Sequence, residues 1–244
     1  MLTYSMFSET GGRSENEDCV GAYQKKKRSV FLLADGLGGH GLGQQASACA
    51  VHMGDVLLQE SEDQPVGQYL AGVFEQAHQN LKEMQERSGQ LLSMRTTLAA
   101  VVIEGEEGWI AHIGDSRVYV FENGKLVNRT LDHSVPQMLV LSGEIKEGDI
   151  RHHPDRNRLL RCLGDTVEIP KYEIQKPIKI QKGMSVLLCS DGFWEQVTEK
   201  QMARDLRWSK DVDSWLARMK RRVSRAEKKE SNQDNYSAIG IWFR

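Results

Sequence analysis

Four stretches of the chain repeat apolar side chains at the spacing of an α-helix. Residues 44–60 and 67–87 place apolar or small side chains three and four positions apart, and residues 198–207 and 212–227 follow the same rhythm. Such a stripe along one face is typical of a helix that packs against a core. The sequence therefore predicts two consecutive helices in the first half of the chain and two more near its C-terminal end.

The other apolar residues form short runs that are typical of β-strands. Residues 131–167 are less regular and predict a short helix followed by a mobile excursion, and residues 170–182 predict a strand with a turn. Asn123-Gly124, between two alternating runs, is a strong hairpin signal. Strands are also predicted at residues 3–7, 19–23, 30–34, 96–103, 108–113, 117–122, 125–128, 185–190 and 236–243.

The strand predicted at residues 30–34 leads directly into Asp35 and a segment with five glycines in eight residues. This predicts that Asp35 lies on a loop at the mouth of a buried strand, where a charged side chain is more often functional than structural. Residues 36–41 also match the dinucleotide pattern G-x-G-x-x-G. Asp35 would, however, face the pyrophosphate with a carboxylate, and a second helix follows where a second strand is required. A dinucleotide site is therefore rejected.

Composition narrows the class of protein further. The chain has 244 residues, of which 39% are hydrophobic and 27% charged, with a net charge of −2. These values are typical of a globular protein and give no overall attraction to nucleic acid or anionic lipid. The four cysteines are scattered, no signal core precedes residue 16, and no apolar run approaches the roughly 18 residues of a membrane span. We expect one domain over residues 1–244, cytoplasmic, with no nucleic acid or membrane partner, and a solvated basic face on the helix at 212–227.

Five aspartates occur in turns or directly after apolar strands. Each has a simple explanation alone, because Asp-Gly is a common turn, but five unpaired carboxylates at strand ends are costly to shelter from water. If they converge, a cation must hold them, and a set of oxygen ligands selects hard ions such as Mg²⁺ or Mn²⁺. Spacing alone does not prove that they converge. The five are Asp18, Asp35, Asp115, Asp191 and Asp234.

Six short motifs that include these aspartates follow one another in a characteristic order. Together they closely resemble the metal-dependent Ser/Thr protein phosphatases of the type 2C (PPM) family, in their compact bacterial form. The resemblance implies an α+β fold, a four-layer α-β-β-α sandwich in which two antiparallel β-sheets pack face to face with helices on both outer faces. The motifs are Arg13-x-x-Asn16-Glu17-Asp18, Asp35-Gly36-Leu37-Gly38-Gly39, Gly114-Asp115-Ser116-Arg117, Leu160-Arg161-Cys162-Leu163-Gly164-Asp165, Ser190-Asp191-Gly192-Phe193-Trp194 and Asp234-Asn235.

The resemblance also implies roles for individual residues. Asp35 would bridge two metal ions, with the Gly36 carbonyl completing one site and Asp191 and Asp234 binding the other ion. Asp115, with Asp191, would serve a third metal site. Glu17, Asp18 and Asn235 would lie in the second shell of the metals. Arg13 would clamp the substrate phosphate, because a planar guanidinium can contact two phosphate oxygens at once.

Such a site implies hydrolysis of phosphoserine and phosphothreonine, with Mn²⁺ or Mg²⁺ as cofactor. Two metals about 4 Å apart activate the water between them and stabilise an in-line displacement at phosphorus. His40 is a candidate acid for the leaving alkoxide, and a structural role at the start of a helix is the alternative. A flap at residues 141–158 would influence which phosphoprotein docks. His133, His152 and His153 lie in or near this segment and are interpreted as surface or substrate-side residues.

The implied partners are phosphorylated Ser/Thr proteins and a cognate Ser/Thr kinase that a monomeric phosphatase would oppose. The sequence disfavours two other functions. An inactive adaptor of the same family is disfavoured because every metal ligand of the family is present. A Ser-His-Asp hydrolase is disfavoured because Asp132-His133-Ser134 is only adjacency in sequence, and no G-x-S-x-G motif occurs.

Overall fold

The computed structural model of the protein describes residues 1–38, 42–60, 64–227 and 233–244. Within these residues, twelve strands and six α-helices alternate in blocks along the chain. The strands are β1 Leu2–Glu9, β2 Asp18–Lys25, β3 Arg28–Leu37, β4 Arg95–Thr96, β5 Leu98–Glu104, β6 Glu107–Ile113, β7 Arg117–Glu122, β8 Lys125–Arg129, β9 Glu173–Ile174, β10 Ile178–Lys179, β11 Met184–Cys189 and β12 Tyr236–Phe243. The helices are α1 Leu42–Glu60, α2 Val66–Ser88, α3 Val135–Leu141, α4 Asp191–Trp194, α5 Glu199–Arg207 and α6 Val212–Glu227, with a 3-10 helix at Glu147–His152.

The strands form two sheets in which the neighbouring strands run antiparallel. The first sheet has the order β1-β12-β11-β7-β8, and the second has the order β10-β6-β5-β3-β2, with β4 added to β3 and β9 to β6. The first strand pairs with the last along its whole length, from Leu2 opposite Phe243 to Glu9 opposite Tyr236. Each sheet therefore combines segments that are distant in the sequence.

Alternation along β3 shows how the layers form. Val30 and Leu32 pack with residues of α1 and α2, whereas Phe31 and Leu33 pack between the two sheets. All four side chains are at most 1% exposed. A strand that is buried on both faces reads as a continuous apolar run, as this segment does. The apolar stripes of α1 and α2 thus cover the outer face of the second sheet.

The other sheet is covered in the same way by the C-terminal helices. Trp215 and Met219 of α6 belong to a core that includes Ala238 on the outer face of β12, whereas Ile239 and Ile241 of that strand belong to the core between the sheets. The layers are therefore helix, sheet, sheet and helix. The predicted α+β sandwich of two antiparallel sheets is confirmed.

The predicted hairpin is also present, between β7 and β8. Asn123 and Gly124 have φ values of 48° and 74°, the left-handed region that this turn requires. One local expectation is wrong, because Asp35 lies within β3 and not on a loop. The strand continues through Asp35, which pairs with Asp18, and Gly36, which pairs with Thr96 of β4.

The irregular segment at 131–167 contains α3 and the 3-10 helix and is attached to α4 and α5. Ile150 is 2% exposed and belongs to the core under α5 and α6. Two ion pairs add to this contact, Arg156 with Glu195 at 2.9 Å and Arg151 with Glu199 at 2.6 Å. No helix among the described residues is long and apolar enough to cross a membrane.

Candidate metal centre

At one end of the sandwich, the space between the sheets changes from apolar to polar. The alternation that places Phe31 and Leu33 between the sheets places Asp35 there too, and Val186 and Leu188 of β11 are followed in the same phase by Ser190. The polar members of this layer are Asp18, Asp35, Thr97, Ser116, Ser190 and Ser237. Sheet geometry therefore collects polar side chains from distant strands at one end of the inter-sheet core.

Hydroxyl groups connect this polar layer. The Ser190 hydroxyl donates to Asp18 Oδ2 at 2.7 Å and accepts from the Ser237 backbone N–H at 3.0 Å. The Thr97 hydroxyl accepts from the Asp35 backbone N–H at 3.0 Å. These bonds fix the two aspartates relative to strands of both sheets.

A cavity of about 360 Å³ opens above this layer. The predicted site residues that line it come from separate parts of the chain. The predicted flap at residues 141–158 contributes Asn157, and Leu159 follows directly after it. Asp18 is absent from the lining and lies behind Asp35, its partner across β2 and β3. The predicted residues in the wall are Arg13, Glu17, Asp35, Gly36, Asp115, Asp191, Asp234 and Asn235. The convergence that spacing could not prove is therefore observed.

Four of the clustered aspartates have raised pKa values. Burial and the charges of its neighbours, Asp18 first, raise the pKa of Asp35 well above its usual range. Burial, followed by the Asp191 charge, has the same effect on the pKa of Asp115. Burial raises the pKa of Asp18 to about 7 and that of Asp191 to about 6, and nearby aspartates add to both shifts. Because like charges this close resist ionising together, the site favours a cation.

Arg13 and Asp234 face each other at the rim of the cavity. Arg13 Nη2 donates to Asp234 Oδ2 at 2.9 Å, and both side chains are over 40% exposed. Asn235 holds the loop that carries Arg13, since its Nδ2 donates to the carbonyls of Thr10 and Glu15 at 2.7 and 2.9 Å. The Asn235 Oδ1 accepts from the Glu17 N–H at 2.8 Å. Asn235 thus ties the arginine loop to the start of β12.

Two glycines allow backbones to approach closely at this site. A Cβ on Gly36 would lie 2.2 Å from the Gly43 carbonyl oxygen and 2.7 Å from that of Glu17. A Cβ on Gly192 would lie 2.1 Å from the Asn235 carbonyl oxygen. Real Cβ atoms do not approach backbone this closely, so the two segments that carry Asp35 and Asp191 require glycine next to the aspartate.

A buried ion pair supports Asp115 from behind, and sequence reasoning missed it. Arg117 makes a bidentate pair with Asp132, with distances of 2.8 and 2.6 Å, and its guanidinium lies 3.5 Å from the centre of the Trp194 ring. Trp194 Nε1 donates to the Asp115 carbonyl at 3.0 Å. The pair therefore connects the Asp115 turn with α4, where Asp191 is the first residue. The available signal was an arginine in a strand whose alternation points it toward the helix-side core.

Three other potential metal ligands, from His112, His133 and Glu173, lie within 4.8 Å of one another. The Gly114 N–H donates to His133 Nδ1 at 3.2 Å, so the proton of the neutral ring is on Nε2, which faces Glu173 at 3.2 Å. The two imidazoles are stacked, with centroids 4.6 Å apart and planes at 16°, so their in-plane lone pairs do not meet at one point. Arg161 already lies 3.5 Å from the Glu173 carboxylate. This group holds the Gly114 turn and does not fit a metal ion.

The prediction that His133 lies at the surface or on the substrate side is wrong. Its side chain is 6% exposed, and burial, together with the neighbouring His112, lowers the pKa of His133 to about 4. His40, the candidate acid, lies outside the described residues.

Comparison with known proteins gives the class of this fold and site. A sequence model of the family described as protein phosphatase 2C matches residues 10–234. The chain therefore belongs to the protein phosphatase 2C family, and the predicted class of enzyme, a protein serine/threonine phosphatase, is confirmed.

Individual relatives are bacterial. The chain is 32% identical over 202 residues to the serine/threonine phosphatase stp of Listeria innocua, covering 80% of this chain and 79% of that protein. A structure of the Streptococcus agalactiae serine/threonine phosphatase has the same fold, with a TM-score of 0.89, 23% identity and full coverage of both chains. The catalytic domain of the phosphatase PstP, solved with two manganese ions, has a TM-score of 0.83 and 26% identity over 98% of this chain and 97% of that one.

Proposed function

We propose that the protein hydrolyses phosphoserine and phosphothreonine in other proteins with the help of two divalent metal ions, Mn²⁺ or Mg²⁺. The observation that carries this proposal is the cavity in which Asp35, Asp115, Asp191 and Asp234 converge. Among the lining residues that the structure describes, Arg13 at the rim is the one cation, so these residues supply little positive charge. Oxygen donors of this kind suit hard divalent cations, and the PstP domain described above holds two manganese ions.

The carboxylate and carbonyl oxygens in the wall of the cavity fit such ions. Asp35, the Gly36 carbonyl, Asp191 and Asp234 would hold the two ions. Asp115 and Asp191 together would form a third site. Bound there, the ions would supply an activated water and neutralise charge on the phosphoryl group.

The chain's own side chains bind and orient the substrate. Arg13 lies on an exposed loop that Asn235 holds in place, so its guanidinium is positioned to bind two phosphate oxygens. The same guanidinium contacts Asp234, and a bound phosphate would compete for it. Glu17 and Asp18 would accept hydrogen bonds from water around the site. His40 is proposed to protonate the leaving group, on its position in the sequence alone.

The proposed substrate also indicates which class of enzyme would act before this one. Phosphoserine and phosphothreonine in proteins are made by Ser/Thr kinases, so the proposed activity would oppose such a kinase. Residues 141–158 form the flap at one wall of the cavity, through Asn157, and are proposed to influence which phosphoprotein docks.

The test is hydrolysis of a phosphothreonine peptide by the whole chain with Mn²⁺ and with an excess of EDTA. We expect phosphate release that requires the metal, and activity that is unaffected by chelation would contradict the mechanism. Calorimetric titration with Mn²⁺ distinguishes the enzyme from an inactive adaptor, because an adaptor need not bind metal.

A further inference from the structure

Helix α6 carries five cations within eight residues, from Arg218 to Arg225, in a chain whose net charge is −2. Two of them have structural roles. Lys220 pairs with Glu9 of β1, and Arg222 makes a bidentate pair with Asp205 of α5, in which Nη2 and Oδ1 are 2.7 Å apart. These two contacts attach α6 to its neighbours and leave three cations unexplained.

The remaining three, Arg218, Arg221 and Arg225, are exposed. Among the described residues, none of the three has a hydrogen bond or an ion pair. Their spacing of three and four residues places them in one row along the outer face, opposite the buried Trp215 and Met219. The row spans about 10 Å at 1.5 Å per residue. Like charges this close repel one another, so the row does not stabilise the isolated helix.

The row leads toward the catalytic cavity. The first turn of α6 packs on Gly240, whereas Ser224 near its end lies 3.4 Å from the hydroxyl of Tyr236, two residues after Asp234. Lys220 contacts Glu9, four residues before Arg13. Glu9 and Tyr236, which contact the C-terminal half of α6, are therefore close in the chain to Arg13 and Asp234 at the rim of the cavity. Arg225 is the residue of the row nearest to the cavity.

We propose that this row, Arg218, Arg221 and Arg225, is a docking site for an acidic segment of the phosphoprotein substrate, located to one side of the phosphorylated residue. The inference rests on the proposed function. An extended chain rises about 3.3 Å per residue, so three to four acidic residues match the length of the row. Exposed arginines attract carboxylates or additional phosphates through charge, and such attraction raises affinity without changing the chemistry at phosphorus.

The experiment compares three phosphothreonine peptides of equal length. One has four aspartates several residues before the phosphothreonine, the second has them after it, and the third is a neutral peptide with asparagines instead. For the wild-type chain with Mn²⁺, we expect the kcat/KM of one acidic peptide to exceed that of the neutral peptide about 5- to 10-fold, the scale of three exposed ion pairs. The preference should come from KM, appear for acids on one side only, and decline as NaCl rises from about 0.02 to about 0.3 M.

The substitutions Arg218→Gln, Arg221→Gln and Arg225→Gln together should reduce that ratio to about one. The matched control removes three exposed lysines elsewhere in the chain, Lys125→Gln, Lys176→Gln and Lys182→Gln, and should keep both the ratio and the activity. Equal loss in both triple variants would indicate a general charge effect and overturn the docking site.

The remaining outcomes distinguish failure of the docking site from failure of the proposed function. If the wild type hydrolyses none of the peptides in Mn²⁺, the proposed function fails. If it hydrolyses the neutral and acidic peptides equally, only the docking site fails. Arginine-dependent binding to vesicles of anionic phosphatidylglycerol, with no acidic-peptide preference, would assign the row to a lipid surface instead.

Discussion

Two groups of buried charge lie back to back in this protein, and they are compensated in opposite ways. Around Arg117 the chain supplies both signs, because Asp132 accepts two hydrogen bonds from the guanidinium and both side chains are at most 2% exposed. Around Asp35 it supplies mainly one sign, with Asp18, Asp115 and Asp191 nearby. Along the chain, only Ser116 lies between Asp115 of the second group and Arg117 of the first.

This difference indicates a structural role for the Arg117 pair and a functional role for the Asp35 cluster. A buried charge that is paired within the chain needs nothing from outside, and breaking such a pair is strongly destabilising. A cluster of like charges raises its own pKa values and is completed by a cation from solution. The internal pair holds Asp115 through Trp194, so the self-sufficient group also positions part of the incomplete one.

The largest expected effect comes from Asp35→Asn, which keeps the shape of the side chain and removes its charge. We expect kcat/KM on a phosphothreonine peptide to decrease about 10³-fold, which corresponds to about 4 kcal/mol of transition-state stabilisation. In EDTA the same variant should unfold about 2–4 °C higher than the wild type, because a crowded carboxyl has been removed. Steady-state kinetics and thermal denaturation measure the two effects, and a lower midpoint in EDTA would contradict the view of Asp35 as uncompensated.

The same chemical change at Asp132 should have the opposite effect on stability. Asp132→Asn leaves Arg117 buried beside a neutral amide, and we expect a loss of about 3 kcal/mol, the low end for a broken buried pair. Urea denaturation in EDTA measures this loss. The matched control is Asp213→Asn on the exposed surface of α6, which should change stability by less than about 0.5 kcal/mol. A neutral result at Asp132 would show that the pair is dispensable.

The smallest expected effect is the pH dependence of the metal-free chain between pH 8.5 and 7. The pKa of Asp18 is raised to about 7 and those of Asp35 and Asp115 well above their usual range. A carboxyl whose pKa rises on folding contributes stability that is lost as pH rises through the folded value, so stability in EDTA should increase as pH falls. This window lies above the range in which the buried histidines, with lowered pKa values, bind protons.

Differential scanning calorimetry in EDTA should detect a rise of about 2–4 °C, or about 1 kcal/mol, across that window. Asp35→Asn should reduce the slope, and saturating Mn²⁺ should reduce or reverse it because the metal competes with protons. A midpoint that is independent of pH in the wild type would indicate that the carboxyls are not coupled in the folded chain.

The sequence was sufficient for the local elements and for the identity of the candidate ligands. Helical stripes and the Asn123-Gly124 turn depend on neighbours within a few residues, so they could be predicted. The six ordered motifs pointed to the family and, through it, to the sandwich. The local pattern favours a loop at Asp35, because its strand partners, Asp18 on one side and the short β4 segment on the other, are not visible in that pattern.

The support of the site could not be predicted for a similar reason. Arg117 stands in an alternating strand at a position that points toward the helix-side core, which signals a buried partner without identifying it. Asp132 becomes that partner only because β7 and β8 form a hairpin and the chain then turns back beside it. The local pattern also favours an exposed His133, because its burial depends on stacking with His112 of β6, which is distant in the sequence.

The pairing of β1 with β12 has a consequence for how the site is made. Arg13 and Asp234, which meet at 2.9 Å, are separated by 221 positions along the chain. Contacts between such distant residues form slowly, because the conformational entropy of a long loop must be lost before these contacts can stabilise the fold. During synthesis, the loop that carries Arg13 is made early, whereas its partner Asp234 is made 221 residues later. The cavity should therefore be among the last parts of the molecule to form, and a nascent chain that stops short of Asp234 would lack both this aspartate and the strand that joins β1 to β11.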